Sequence, residues 1–214
     1  MYSVSYGRIL ETISGHADAI AALCINGTNL VSGSWDASVK LWNVLPSGIS
    51  KNPVLDFTDH DTEVRCVAIN STGTMAASGS EDGVAMLWDL RKKKCAGEIR
   101  AHSETISSVC FLPDNSGRII TSSTDQFIKI FESNGTETCY WNAKEPVISH
   151  AAIDSNRLLT GDSKGSLRLW NLKDSTEIAH FAGHKAAISS ICVSDECVIS
   201  GGVDGEIIHW VYEN

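Results

Sequence analysis

No apolar stretch in the 214 residues approaches the roughly 20 uninterrupted positions that a membrane-spanning helix requires. Met1 to Leu10 shows neither a basic start nor a sustained apolar segment, so no secretory leader is legible and a cytoplasmic setting is the expectation. The 7 cysteines include no CxxC pair, which argues against a zinc or disulfide framework. Cys24, Cys110 and Cys192 instead recur at one register of a repeat, where Ala68 and Ala152 fill the remaining units, and they read as small core residues in a reducing compartment. GxSxG, HExxH, phosphate-loop and dinucleotide motifs are all missing, so no metal, cofactor or catalytic residue is assigned. Basic charge is scarce, 17 Lys and Arg against 26 Asp and Glu, and a net charge of −9 speaks against a nucleic-acid partner. The one basic run, Arg91 to Lys94, falls in an expected loop and reads as a solvated turn, with an anionic-lipid or acidic-peptide contact as the alternative.

What is present is a repeat. Aligning His184 with His16 places Ile188 on Ile20, Cys192 on Cys24, Ser200 on Ser32, Asp204 on Asp36 and Trp210 on Trp42 without a gap. Two further units start at His60 and His102, carry Asp82 and Asp125, and end at Trp88 and Phe131. A fourth, degenerate unit aligns gaplessly to the fifth through Ile148, Thr160 and Trp170, which puts Lys144 at the His position and Lys164 at the Asp position. His150 then falls inside a strand and reads as a satisfied side chain rather than a ligand. Unit starts lie 44, 42, 42 and 40 residues apart.

Each unit divides into short strands. In the first, Ile20 to Ile25, Asn29 to Ser34 and Val39 to Trp42 are expected strands, with a tight turn at Asn26-Gly27. A fourth strand is marked by Leu10/Ile13, Val54/Phe57, Ala96/Ile99, Thr138/Trp141 and Ile178/Phe181, six and three residues before each repeat start. Nothing reads as a helix. The apolar runs are nearly continuous, so both faces of each sheet must be covered by neighbours.

From Gly7 to Trp210 the chain resembles WD40 repeats, on the evidence of Gly15-His16, Gly183-His184, Ser34-Trp35-Asp36, Trp88-Asp89 and the aligned tryptophans. That resemblance implies an all-β WD40 propeller with five blades visible: residues 15–58, 59–100, 101–142, 143–182 and 183–214. Residues 1–14 would be an outer strand, either closing the ring against the last blade or finishing a blade whose other strands lie upstream. The latter is the expectation, within a seven-bladed whole. The resemblance also implies hydrogen-bonded tetrads in His16, Ser32, Asp36 and Trp42; in His60, Ser78, Asp82 and Trp88; and in His184, Ser200, Asp204 and Trp210. The third unit keeps His102, Thr121 and Asp125 but has Phe131, and the fourth lacks His and Asp, so both are expected to be held less firmly. A Ser–His–Asp trio is also the constellation of nucleophilic hydrolysis, but its recurrence in successive repeats reads as structural.

A narrower resemblance, through Tyr2-Ser3-Val4, Gly7-Arg8, Val39 to Trp42, the Pro46 loop and Gly201-Gly202, is to the C-terminal WD40 region of BEACH-domain proteins, of the factor-associated-with-neutral-sphingomyelinase-activation type. It implies a non-catalytic adaptor between a receptor's cytoplasmic tail and membrane-lipid signalling, with peripheral membrane association supplied by domains outside these residues. The alternative is a propeller subunit of another complex, such as a substrate receptor for ubiquitin ligation. In the WD40 family partner contacts recur before the turn Asp and after the first strand's leading aliphatic, here Trp35, Glu81, Thr124, Ser163 and Val203, and Ala21, Arg65, Ser107, Ser149 and Ser189. Trp35, with Arg65 and Glu81 on the next blade, has the composition of an interface hot spot. The loop Asn43 to Asn52 is expected as an ordered, exposed excursion on the opposite rim.

Overall fold

The computed structural model describes residues 2–3, 8–9, 11–194 and 197–211. Four antiparallel sheets follow one another along the chain, then a fifth of three strands. Blade 1 comprises Ile20–Asn26, Asn29–Ser34, Val39–Leu45 and the short outer strand Leu55–Phe57. Blade 2 comprises Val64–Ile69, Met75–Ser80, Val84–Asp89 and Lys94–Arg100. Blade 3 comprises Ile106–Phe111, Ile119–Ser123, Phe127–Phe131 and Glu137–Asn142, and blade 4 Val147–Ala152, Arg157–Asp162, Ser166–Asn171 and Thr176–Ala182. Blade 5 has Ile188–Val193, Cys197–Gly202 and Ile207–Val211. First strands of successive blades lie side by side, and no comparable contact joins Ile188–Val193 to Ile20–Asn26 among the described residues.

Local chemistry shapes the turns. The residue after each turn Asp, or after Lys164 in blade 4, is left-handed: Ala37, Gly83, Gln126, Gly165 and Gly205, with φ between 64° and 88°. At Gly83 a Cβ would lie 2.2 Å from the His102 carbonyl oxygen, so glycine is required there by the next blade as well as by its own φ.

A bulge follows the leading residue of every first strand, after Ile20, Val64, Ile106, Val147 and Ile188. That leading aliphatic acts as a knob. Val64 fills a slot over Gly33, Ile106 over Gly79 and Ile188 over Gly161, where an added Cβ would come within 2.5–2.6 Å of it. Val64, Ile106, Val147 and Ile188 are accordingly 0% exposed, whereas Ile20 is 51% exposed. Blade 5 shows the complementary exposure. The slot at Gly201 meets only its own blade's Ser190, and Ile199 and Ile207 are 42% and 80% exposed where their counterparts in blades 1 to 4 are buried. The core is therefore a series of apolar layers between blades, with one bare layer at each end.

The structure corrects the register of blade 4. Val147, not Ile148, leads its first strand: Val147 pairs with Asp162 as Ile188 pairs with Gly202, and Pro146 O receives the Ser163 N–H as Ala187 O receives that of Val203. The His position, four residues earlier, falls on Ala143 rather than Lys144, and the residue matching Cys192 is Ala151 rather than Ala152. The cause is a turn one residue longer after Ala152 than after Val193, which a gapless alignment conceals.

Near the start, Tyr2–Ser3 pairs with Arg8–Ile9 as a separate two-stranded ribbon. Leu10 and residues 4–7 lie outside the described residues, and Ile13 is in no strand. The Asn43 to Asn52 excursion is a hairpin extension of blade 1, with Val44 opposite Ile49 and Leu45 opposite Gly48.

Candidate partner-binding rim and the networks beneath it

Beneath the turns, polar side chains fasten the strands of each blade. In blade 1 the His16 Nδ1–H donates to Asp36 at 2.9 Å, His16 Nε2 accepts from Ser32 at 2.7 Å, and Ser32 accepts the Trp42 indole N–H at 2.8 Å. Blade 5 repeats the chain, His184 to Asp204 at 3.0 Å, Ser200 to His184 at 2.8 Å and Trp210 to Ser200 at 2.9 Å. In both, the N–H of the residue after the histidine joins the carboxylate, at 2.8 Å from Ala17 and from Lys185. Burial would raise the Asp36 carboxyl, but hydrogen bonds from Ser38, the Ala17 N–H and His16 hold it far below the usual range. The Lys185 N–H does most to hold Asp204 at about 2. Ser32, Ser78 and Ser200 are no more than 1% exposed and each accepts an indole N–H, which leaves them no access to substrate. Blade 3 keeps the first half, His102 to Asp125 at 2.9 Å and Thr121 to His102 at 2.8 Å, with Phe131 buried in place of the indole.

Blade 2 departs from the expected tetrad. His60 and Ser78 lie 2.6 Å apart and Trp88 donates to Ser78 at 2.9 Å, but Asp82 does not reach His60, whose Nδ1 is buried without a partner. One carboxylate oxygen of Asp82 is taken by the Ser80 hydroxyl and the Val84 N–H. The residue after the histidine is here Asp61, whose negative charge opposes the approach that Ala17, Ser103 and Lys185 permit in the other blades.

In blade 4 a charged chain stands where the His–Asp pair is lost. Asp162, 1% exposed, accepts the N–H groups of Lys164 and Ser166 and faces Arg168 at 3.4 Å; Arg168 reaches Glu177 at 3.1 Å, which also pairs with Lys144 at 2.8 Å. Lys164 at the Asp position turns outward to Glu145, 2.6 Å away, while Trp170 still donates to Thr160 at 2.9 Å. The sequence signal for this chain was a charge at Asp162, where the other blades have Ser or Gly, facing a second charge at Arg168. His150, expected to be satisfied, is bonded only through Nδ1, to Ser122 at 2.7 Å, and its Nε2 has no partner. Complete burial pushes its pKa down to about 3, so the ring is neutral.

Above these networks the rim residues come together across two blades. The Arg65 guanidinium lies 5.0 Å over the Trp35 ring and donates to Glu81 at 3.0 Å, while Trp35 keeps 45% of its surface exposed. Trp35 and Glu81 are fixed at their backbones by bonds to Ala19 O and Glu63 O. Other rim positions serve packing: the Ser107 hydroxyl donates to Val147 O at 2.5 Å and that of Ser149 to Ile188 O at 2.9 Å, tying each blade to the next.

A family model described as WD domain, G-beta repeat matches residues 7–43, 51–89, 93–132 and 175–210. The chain belongs to the WD40 repeat family. Its five-bladed propeller is all-β, and the unmatched interval 133–174 contains the first three strands of the charged WD40 blade, blade 4. Autophagy-related protein 16 of Arabidopsis thaliana is 31% identical over 182 residues, 80% of this chain and 35% of that protein. Cilia- and flagella-associated protein 52 of Sus scrofa is 24% identical over 216 residues, 96% and 34% of the two chains. Small ribosomal subunit protein RACK1y of Oryza sativa subsp. japonica is 28% identical over 154 residues, 67% and 44%. This WD40 chain thus spans less than half the length of these curated relatives.

Proposed function

We propose that the chain is a non-catalytic docking module whose protein partner lies across Trp35, Arg65 and Glu81. WD40 propellers as a family mediate protein–protein contacts. The observation that carries the site is the exposed Trp35 ring held under Arg65, itself ion-paired to Glu81. An amphipathic aromatic fixed beside a pre-oriented guanidinium loses little conformational entropy on binding, which is the character of a hot spot. Trp35→Ala should remove the proteins that co-purify with the wild type while shifting stability by less than about 0.5 kcal/mol. Retention of every partner, or a loss of several kcal/mol, would assign Trp35 to packing.

Within that reading, the adaptor role of the BEACH type rests on the sequence resemblance, and none of the three relatives named above carries such a name. Recovery of receptor cytoplasmic tails and lipid-signalling components would support it; recovery of cullin or ligase subunits instead would turn the assignment to a ubiquitin-ligase receptor. The bare layers support a larger propeller. Ile20 is a knob without a slot and Gly201 a slot without a knob, so further blades of the same kind, to a total of seven, would cover both. In a product carrying such blades, Ile20→Lys should cost several kcal/mol, against almost nothing in the 214-residue chain.

A further inference from the structure

Blade 2 is the one blade with a repeat histidine whose carboxylate bond is missing, and the space left is a notch of about 210 Å³. It is lined by Asp59, His60, Asp61, Asp82, Glu98 and Arg100, with Val84 and Met86 as an apolar patch. His60 is 5% exposed and anchored on Ser78 through Nε2, which turns the partnerless Nδ1 towards the carboxylates. Arg100 is matched by Glu98 at 3.3 Å, whereas Asp59 and Asp61 have no hydrogen bond or ion pair among the described residues, and Asp82 is met by neutral donors, the Ser80 and Thr62 hydroxyls and the Val84 N–H. The notch therefore holds three uncompensated negative charges around a buried ring nitrogen. Freed from a carboxylate, His60 can take the tautomer in which Nε2–H donates to Ser78 and Nδ1 offers a lone pair.

We propose that this notch receives the basic head of a lysine or arginine side chain from a partner segment crossing the rim. Such a head carries only donors, which matches three carboxylates and one imidazole lone pair, and its aliphatic stem matches Val84 and Met86. A metal ion fits less well: the space far exceeds one ion, and among the described residues no three His, Cys, Asp or Glu side chains converge at ligating distance. Asp82 directly follows Glu81 in the same turn, so the notch adjoins the Trp35–Arg65–Glu81 surface, and the assignment rests on that rim being the partner-facing one.

The test uses the whole chain labelled with ¹⁵N-histidine and titrated with N-acetyl-argininamide or N-acetyl-lysinamide, with the uncharged citrulline analogue as control. A saturable shift of the His60 ring signals is expected from at least one basic probe, with a dissociation constant on the order of millimolar for so small a ligand, and none from the citrulline analogue. Asp59→Asn with Asp61→Asn should weaken it about tenfold or more, while Trp35→Ala should leave it unchanged, which separates failure of the notch from failure of the wider rim. The proposal is overturned if His60 ignores both basic probes, if the citrulline analogue acts equally, if Mn²⁺ broadens the His60 signals where the basic probes do nothing, or if the free protein already shows Nδ1–H bonded to Asp82.

Discussion

Blades 4 and 5 fasten their strands by opposite means. In blade 5 a relay runs from Trp210 through Ser200 and His184 to the partly exposed Asp204. In blade 4 the indole bond to Thr160 survives, but the rest is an alternation of ions, from buried Asp162 through Arg168 and Glu177 to Lys144. The relay meets its one carboxylate with the Lys185 and Glu206 backbone N–H groups beside His184, so fixed dipoles replace the water it loses. The ionic chain buries Asp162 and most of Arg168, and therefore depends on every member being present. The fold requires the fastening and tolerates either chemistry.

The sharpest way to break that equivalence is Arg168→Met, which leaves Asp162 buried opposite an apolar side chain and should cost about 3 kcal/mol in urea unfolding. Adding Asp162→Ser recreates the pair found in blade 2 at Ser80 and Met86 and should recover most of that loss; equal losses in the single and double variants would mean that the ion pair is incidental.

Acid tests the buried histidines next. Burial holds His60 at about 4, while the unfolded chain takes up a proton near ~6.5. Its folded pKa is thus depressed, so the unfolded state binds the extra proton between those values, and stability present above about 6.5 is lost as pH falls towards 4. From pH 7 to pH 5 the loss should be about 2 kcal/mol for this group, and the corresponding slope should be smaller in His60→Asn. Glu177 behaves differently. A hydrogen bond from Lys144 leads in holding its carboxyl below the usual range, so its contribution is present above the unfolded value and is lost only as pH drops further. Blade 4 also carries His150, held at about 3 by complete burial, so hydrogen exchange at pH 5 should accelerate in blades 2 and 4 alike, and in blade 2 ahead of blade 4 only once His150 is replaced by Asn.

Smaller still is Trp210→Phe, which gives blade 5 the aromatic that blade 3 already has at Phe131 and removes one indole donor; about 1 kcal/mol is expected, with the reverse change Phe131→Trp gaining less than that. Ile207→Lys, on the bare layer, should be nearly silent, within about 0.5 kcal/mol, since no neighbour is displaced. A large penalty there would show that this layer is covered in solution.

Much of the fold was legible because repeat chemistry and strand register are coupled: a serine that must meet both an imidazole and an indole sits at one place in its strand, and Ser32, Ser78 and Ser200 marked it. That Trp35 and Arg65 stand on neighbouring blades was legible for the same reason, since both positions are counted from such anchors. Blade 4 escaped because its anchor histidine is gone and its first turn is one residue longer, so Ile148 took the place that belongs to Val147. The empty Nδ1 of His60 escaped for a different reason. All four tetrad residues are present in blade 2, but the charge of neighbouring Asp61 and the competing bonds of Asp82 to Ser80, Val84 and Thr62 oppose their last contact.

The leading aliphatic and the glycine slot have one more implication. A stretch of chain copied from one bulge to the next brings along a matched plug and socket, so duplication or deletion in whole units preserves mating surfaces at both new junctions. A copy of any other length would strand a hydrophobic side chain in water, a rule of inheritance written in the geometry of Gly33, Gly79 and Gly161.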